Sequence, residues 1–156
     1  MAPVKRLALA LLAFLLANCA RPDENLTVRQ FQLRDQETGS LGEEPMVRME
    51  KLRRLHGAVS MEERRQRLGQ YYTLRWQDRQ GVGSGPVEVR LEYQQGKTAS
   101  EIKSMSEFYP PEQAEGEVEF AVIGDNYFDN GKVLAWRASV NRAGRELASK
   151  QSFLWE

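Results

Sequence analysis

The fold is decided by residues 72–93, YTLRWQDRQGVGSGPVEVRLEY. In both halves of this stretch, apolar side chains alternate with polar or charged ones, which is the period of a strand with one buried face. Between the halves, Gly81, Gly83 and Gly85 precede Pro86, and such a sequence favours a flexible turn. The stretch therefore predicts two strands that are joined by a hairpin loop.

The same alternation continues towards both ends of the chain. It is clear in residues 26–33, 118–122 and 133–140 and in a last strand that ends at Phe153 and Trp155, and it is weaker in residues 102–109. The phase slips once within residues 26–33, which indicates a bulge. Asn130-Gly131 favours a type I′ hairpin before residues 133–140, and residues 142–145 favour another turn.

About seven short strands at this spacing are typical of an antiparallel sandwich or barrel. We predict a mainly β fold, an immunoglobulin-like or fibronectin-like antiparallel β-sandwich, although the cysteine pair of antibody domains is missing. A small β-barrel is the alternative. With 156 residues, the chain has the length of one globular domain.

Residues 45–69 show a different period and are predicted to form a two-helix insertion after the first strand. The first helix carries one apolar stripe, with an apolar residue at every third position: Met46, Met49, Leu52 and Leu55. A second helix is expected from Ser60 to Leu68, because Ser60 and Glu63 have the spacing of a capping box. Gly69 is expected to stop this helix.

The N-terminal residues have the organisation of an export signal. Lys5 and Arg6 precede an apolar run that is too short for a transmembrane helix, which needs about 20 residues. The run ends in Leu16-Ala17-Asn18-Cys19, which resembles the lipobox of bacterial lipoproteins, with Asn18 where Gly, Ala or Ser is usual. An ordinary secretory signal that is cut near Cys19 is the alternative.

The resemblance implies an anchored protein. Residues 1–18 would be the lipoprotein signal peptide, Cys19 would be acylated and become the N-terminus, and residues 19–25 would tether a domain of residues 26–156. Two or three acyl chains on one residue give durable attachment, so the membrane is an expected partner. Ala20 stands where enterobacterial lipoproteins of the inner membrane carry Asp, which implies an outer-membrane location facing the periplasm.

The charge of the chain argues against nucleic-acid binding. Lys plus Arg and Asp plus Glu both number 22, and without Lys5 and Arg6 the remaining chain has 20 basic against 22 acidic side chains, a net of −2. A protein that neutralises many phosphates needs a strongly basic face. Nucleic acid is therefore not an expected partner.

The helical insertion is locally basic, with seven Lys or Arg against three Glu between positions 48 and 67. We predict that these residues contact an anionic surface near the membrane: Arg48, Lys51, Arg53, Arg54, Arg64, Arg65 and Arg67. The alternative is a solvated outer face whose apolar stripe packs on the sandwich.

Candidate catalytic residues are few. His56 is the only histidine and Cys19 the only cysteine, so a His/Cys zinc site cannot form and a Ser-His-Asp triad would have to use His56. Asp125 and Asp129 lie in an acidic segment whose oxygens suit a hard cation, but they depart from the EF-hand pattern, and turn formation explains them better. We predict no metal, no cofactor and no enzyme.

The preferred function is therefore that of a lipid-anchored cell-envelope protein, a noncatalytic binding or assembly module that presents sheet edges or loops to a protein partner. The alternative is a carrier that holds a lipid or another apolar ligand inside a β-barrel. An enzyme ranks third, because it would need a polar cleft around His56 or Asp125.

Overall fold

The computed structural model describes residues 25–35, 44–98 and 100–155, in which two antiparallel sheets pack face to face. The strands are β1 (Leu26–Leu33), β2 (Gly69–Gln77), β3 (Val87–Gln95), β4 (Lys103–Tyr109), β5 (Glu115–Ile123), β6 (Val133–Arg142) and β7 (Arg145–Gln151). The helices are α1 (Pro45–Leu55), α2 (Met61–Arg65) and α3 (Gly124–Asn130). The predicted signal peptide 1–18, Cys19 and tether residues 19–24 lie outside the described residues.

One sheet has the order β1-β2-β5 and the other the order β4-β3-β6-β7. This arrangement confirms the predicted mainly β sandwich of the immunoglobulin or fibronectin kind, and α1 and α2 confirm the two-helix insertion after the first strand. The alternative, a small β-barrel, is wrong, because the strands form two sheets with open edges rather than one closed sheet.

The core lies between the two sheets and is built by the predicted alternation. In β3, every second side chain points inwards, so that Val87, Val89 and Leu91 are fully buried. The other residues of this core come from both sheets: Leu26, Tyr72, Leu74, Trp76, Tyr93, Phe120, Val122, Val133, Trp136, Ala138 and Val140.

Two predicted hairpins do not form. β2 and β3 belong to different sheets, so the glycine-rich loop of residues 78–86 crosses from one sheet to the other. β5 and β6 are also in different sheets, and α3 occupies the segment before Gly131 that was expected to be a type I′ turn. A left-handed residue pair does occur at Ala143 and Gly144, with φ of 50° and 79°, where it joins β6 to β7.

The slip of phase in β1 is not a bulge, because β1 pairs with β2 in continuous register from Leu26 to Leu33. Leu26 packs between the sheets, whereas Phe31 and Leu33 lie on the outer face of the three-stranded sheet. There they form a second apolar cluster with Leu55, Leu68, Tyr71, Ala121 and Ile123. The change of phase therefore marks a strand that buries one face at its start and the other at its end.

The helical insertion covers the end of this outer face. The capping box of α2 is confirmed, since the Ser60 hydroxyl accepts from the Glu63 amide at 3.1 Å and the Glu63 carboxylate accepts from the Ser60 amide at 2.9 Å. The helix ends at Arg65, earlier than expected, and Gly69 begins β2 instead of capping a helix. At Gly69, φ is +145° and an added Cβ would collide with the carbonyl oxygen of Val122.

The last strand also ends earlier than expected, at Gln151, and Phe153 is fully exposed. The described residues include no helix that is long and apolar enough to cross a lipid bilayer.

Candidate functional site

The most unusual surface of the molecule is the outer side of α1. Met46, Met49 and Leu52 are 81%, 68% and 53% exposed, and only Leu55 of the predicted apolar stripe contributes to a hydrophobic cluster. The stripe therefore does not pack on the sandwich, contrary to the expectation for an amphipathic helix at the surface of a domain. Large apolar side chains that are exposed together mark interaction surfaces.

The opposite side of α1, which faces the sheet, carries charges. Lys51 is buried, and the Arg54 guanidinium lies 3.7 Å from the centre of the Tyr71 ring. Arg54 donates to both carboxylate oxygens of Glu119, at 2.9 and 2.5 Å, and its Nε lies 2.7 Å from Glu50. A stacked and bidentate arginine holds α1 on the sheet where an apolar contact was expected.

An open groove of about 780 Å³ runs between α1 and the outer face of the three-stranded sheet. The three carboxylates that line it are each paired with arginine: Glu50 with Arg53 and Arg54, Glu117 with Arg75, and Glu119 with Arg54. The hydrogen bond from Arg53 is the main cause of a lowered pKa of Glu50. A carboxylate with a lowered pKa is a poor general acid, so Glu50 favours structure over acid–base chemistry.

The seven predicted basic residues do not form one surface. Arg48 and Arg53 lie on the exposed side of α1, beside the apolar residues, and Arg64 is exposed on α2. Lys51 is buried, and the side chain of Arg54, which is 6% exposed, lies against the sheet. The structure thus brings only two of the seven, Arg48 and Arg53, next to the exposed apolar side of α1.

The remaining two predicted basic residues, Arg65 and Arg67, have structural partners. Arg65 pairs with Asp125 at 2.6 Å and lies over the Phe128 ring at 4.3 Å. Arg67 donates to the backbone carbonyls of Arg54 and His56, at 3.0 and 2.6 Å. The Arg65 contacts join the end of α2 to α3, and the Arg67 contacts join the segment after α2 to the end of α1.

The two places considered for catalysis or metal binding are His56 and the segment with Asp125, which pairs with Arg65. His56 is exposed at the end of α1, where its carbonyl accepts from Arg67. The hydrogen bond from Arg65 is the main cause of a lowered pKa of Asp125, which begins α3 together with Gly124. Within the described residues, His, Asp and Glu side chains nowhere gather in groups of three that would hold a metal ion.

The two edges of the four-stranded sheet differ in character. Among the described residues, β4 has only β3 as a neighbour. It carries the charged residues Lys103 and Glu107 but also Phe108 at 66% exposure, and Ile102 just before it is 54% exposed. β7, at the other edge, carries Arg145, Glu146 and Lys150 within seven residues. Charged residues protect an edge strand against pairing with another chain. With two charged residues and an exposed Phe108, against three charged residues on β7, β4 is the less protected edge.

Sequence reasoning missed Arg142, which was assigned only to a turn. Its side chain is buried at the end of β6 and donates to Asp78 at 2.7 Å and to the carbonyls of Gly85, Pro111 and Gln113 at 3.0, 2.8 and 2.8 Å. The signal was present, because the inward alternation of β6 continues to position 142.

Comparison of the chain with protein-family models, with curated proteins and with solved structures finds no match.

Proposed function

We propose that this chain is a lipid-anchored cell-envelope protein, located at the outer membrane and facing the periplasm, whose β-sandwich is a noncatalytic binding module. The anchor is proposed from the resemblance of Leu16-Ala17-Asn18-Cys19 to a lipobox. The binding function is proposed from one observation, the open and partly apolar β4 edge. A protein partner would extend the four-stranded sheet at this edge.

The chemistry of β4 suits such a partner. An edge strand offers unpaired backbone N–H and C=O groups on its free side, and an added strand satisfies them. Phe108 lies on the outer face of this strand, where it adds apolar area to the contact. Ser104 and Ser106 share that face and are small enough for a partner to approach closely.

A noncatalytic role is supported by the polar groups that were candidates for chemistry. The carboxylates of the groove beside α1 and the Asp125 carboxylate are paired with arginines. The alternative function, a carrier with its ligand inside a barrel, is not supported by the described residues, because buried side chains fill the space between the two sheets.

The anchor is tested on the full chain produced in a bacterium that processes lipoproteins. We expect mass spectrometry to find a mature N-terminus at Cys19 that carries acyl chains, and we expect the protein to fractionate with membranes. Cys19→Ala should abolish both properties. A membrane-bound Cys19→Ala product of unchanged mobility would contradict the proposed anchor.

The binding edge is tested by a photo-crosslinking residue in place of Phe108, with Glu146 on β7 as the matched position at the other edge of the same sheet. In intact envelopes, we expect an adduct of defined mass from position 108 and little or none from position 146. Equal adducts from both positions, or none from position 108, would argue against a partner at β4.

A further inference from the structure

We propose that α1 lies on the surface of an anionic lipid bilayer, with Met46, Met49 and Leu52 inserted at the boundary between headgroups and acyl chains. This inference rests on the proposed lipid anchor and adds a second contact between the same protein and the membrane. In this arrangement the three-stranded sheet is the one that faces the lipid, because α1 lies over the outer face of that sheet.

The apolar side of α1 has the form of an interfacial helix. Met46, Met49 and Leu52 are three residues apart and share one side of the helix, opposite to Lys51 and Arg54, which face the sheet. A helix of this kind lies in the plane of the interface, with its apolar side buried about 5–10 Å into the boundary between headgroups and acyl chains. The folded body of the domain leaves this side open to solvent.

Charge complementarity favours an anionic bilayer as the occupant. Arg48 and Arg53 are exposed on the same side of α1 as the methionines. Long arginine side chains keep their charges at the level of the headgroups while their methylene stems pack against apolar neighbours. Glu50 reduces the local positive charge, but its carboxylate is paired with Arg53 and Arg54 and would not meet the lipid as an unpaired negative charge.

The position of the chain outside the structure points to the same surface. β1 starts at Leu26, at the end of the sheet where Arg75 and Glu117 pair, and these two residues also line the groove beside Met46. The groove beside α1 therefore extends to the end of the sheet at which the described fold starts. From Cys19 to Asn25 the chain reaches at most about 20 Å. An acylated Cys19 would thus hold α1 within reach of the bilayer.

The test uses the full chain, purified from a lipoprotein-processing bacterium and reconstituted into vesicles of phosphatidylcholine and phosphatidylglycerol. Met49→Cys carries an environment-sensitive fluorophore, and Ser104→Cys, on the outer face of the four-stranded sheet, is the matched control. Acylated Cys19 does not react with the fluorophore. We expect blue-shifted emission and strong quenching by spin-labelled lipid at position 49, and neither effect at position 104.

The charge contribution is tested in the same experiment. Replacing phosphatidylglycerol by phosphatidylcholine, or introducing Arg48→Gln and Arg53→Gln together, should reduce lipid quenching at position 49 at least about threefold. Because all these side chains are exposed, the variants should keep the fold, which circular dichroism checks. Met46→Cys provides a second labelled position if the label at position 49 disturbs the helix.

The outcomes separate this inference from the proposed function. A vesicle-bound protein with a water-exposed label at position 49 would overturn bilayer docking and leave the anchor intact. A label protected from aqueous iodide but not quenched by lipid would indicate a protein partner or a second copy on α1, and would also overturn it. A protein released from the vesicles, with Cys19 itself labelled, would overturn the anchor.

Discussion

Arg142 is the residue on which one end of the sandwich depends. Its guanidinium is 2% exposed and joins the loop after β2 to the loop between β4 and β5 through Asp78, Pro111 and Gln113. A buried cation is tolerated only when each donor finds an acceptor, and the flat fork of arginine meets acceptors in several directions. At this end of the core, the hydrogen bonds of the Arg142 side chain therefore hold the loops together where apolar packing does so elsewhere.

We predict that Arg142→Lys lowers the free energy of unfolding by about 3 kcal/mol, because lysine leaves buried carbonyl oxygens without donors. Urea denaturation followed by circular dichroism measures the change. Arg145→Lys, three residues away and exposed at the start of β7, is the matched control and should change stability by less than about 0.5 kcal/mol. Equal changes in the two variants would contradict the role of Arg142.

At the scale of the elements, α1 differs from an ordinary surface helix. It meets the sheet through Arg54, whose guanidinium is stacked on Tyr71 and paired with Glu119, and it turns its methionines to solvent. Such a contact has a defined geometry but buries little apolar area, so the helix should separate from the sheet more easily than the strands separate from one another.

We predict that Arg54→Lys loosens α1 without unfolding the sandwich, because lysine cannot make the paired hydrogen bonds to Glu119 or the flat stacking on Tyr71. Hydrogen exchange of the α1 amides should become about tenfold faster, while exchange in β2 and β3 stays unchanged. Arg53→Lys is the control, since Arg53 is exposed and contacts only Glu50 among the described carboxylates. A similar acceleration in both variants would contradict the prediction.

The start of α2 offers a second test at this scale. Ser60→Ala removes the side-chain acceptor of the capping box and should destabilise the helix by about 1 kcal/mol. Hydrogen exchange at Glu63 and Arg64 reports the local change. Ser104→Ala, an exposed serine on β4, should have no such effect, and an unchanged α2 in Ser60→Ala would show that tertiary contacts hold the helix instead.

For the whole molecule, stability depends on pairings between distant parts of the chain. Gly69 pairs with Ile123 across β2 and β5, and Val87 pairs with Arg142 across β3 and β6. Both sheets contribute to one core, so they should unfold together. Folding through such non-local contacts is expected to be slow, in the range of about milliseconds to seconds.

The stability of the whole molecule should fall at both ends of the pH scale. Hydrogen bonds from Arg53 and Arg65 lower the pKa values of Glu50 and Asp125, so their stabilisation is present above about pH 4.5 and is lost as the pH falls. Burial raises the pKa of Tyr72 from its usual value of 10.0, so the stabilisation from the neutral phenol is lost as the pH rises above 10.

Thermal unfolding between pH 3 and pH 11 measures this profile. Tyr72→Phe should unfold like the original protein near pH 7, because among the described residues the Tyr72 hydroxyl has only a long hydrogen bond, 3.4 Å from Gln70. Above pH 10 the variant should lose less stability than the original protein. Parallel curves for the two proteins up to pH 11 would mean that Tyr72 does not contribute to alkaline unfolding.

The alternation of side chains predicted the strands well, because a strand with one buried face needs apolar residues at every second position. The same pattern does not state which strands pair, since any strand with the right face fits the core. The glycine-rich loop after Trp76 therefore suggested a hairpin, although it crosses between sheets. For the same reason, β1 suggested a bulge, although its two halves bury opposite faces.

The amino-acid sequence by itself determined the number of strands, the insertion with its capping box, and the side chains of the core. Only the tertiary structure decided which side of α1 is buried, because its sheet-facing partners, Tyr71 and Glu119, are distant in sequence. It also decided the role of Arg142, whose acceptors come from two separate loops. The local period of a segment indicates which of its side chains are buried, but the groups that contact those side chains come from distant parts of the chain and are brought together only by the tertiary structure.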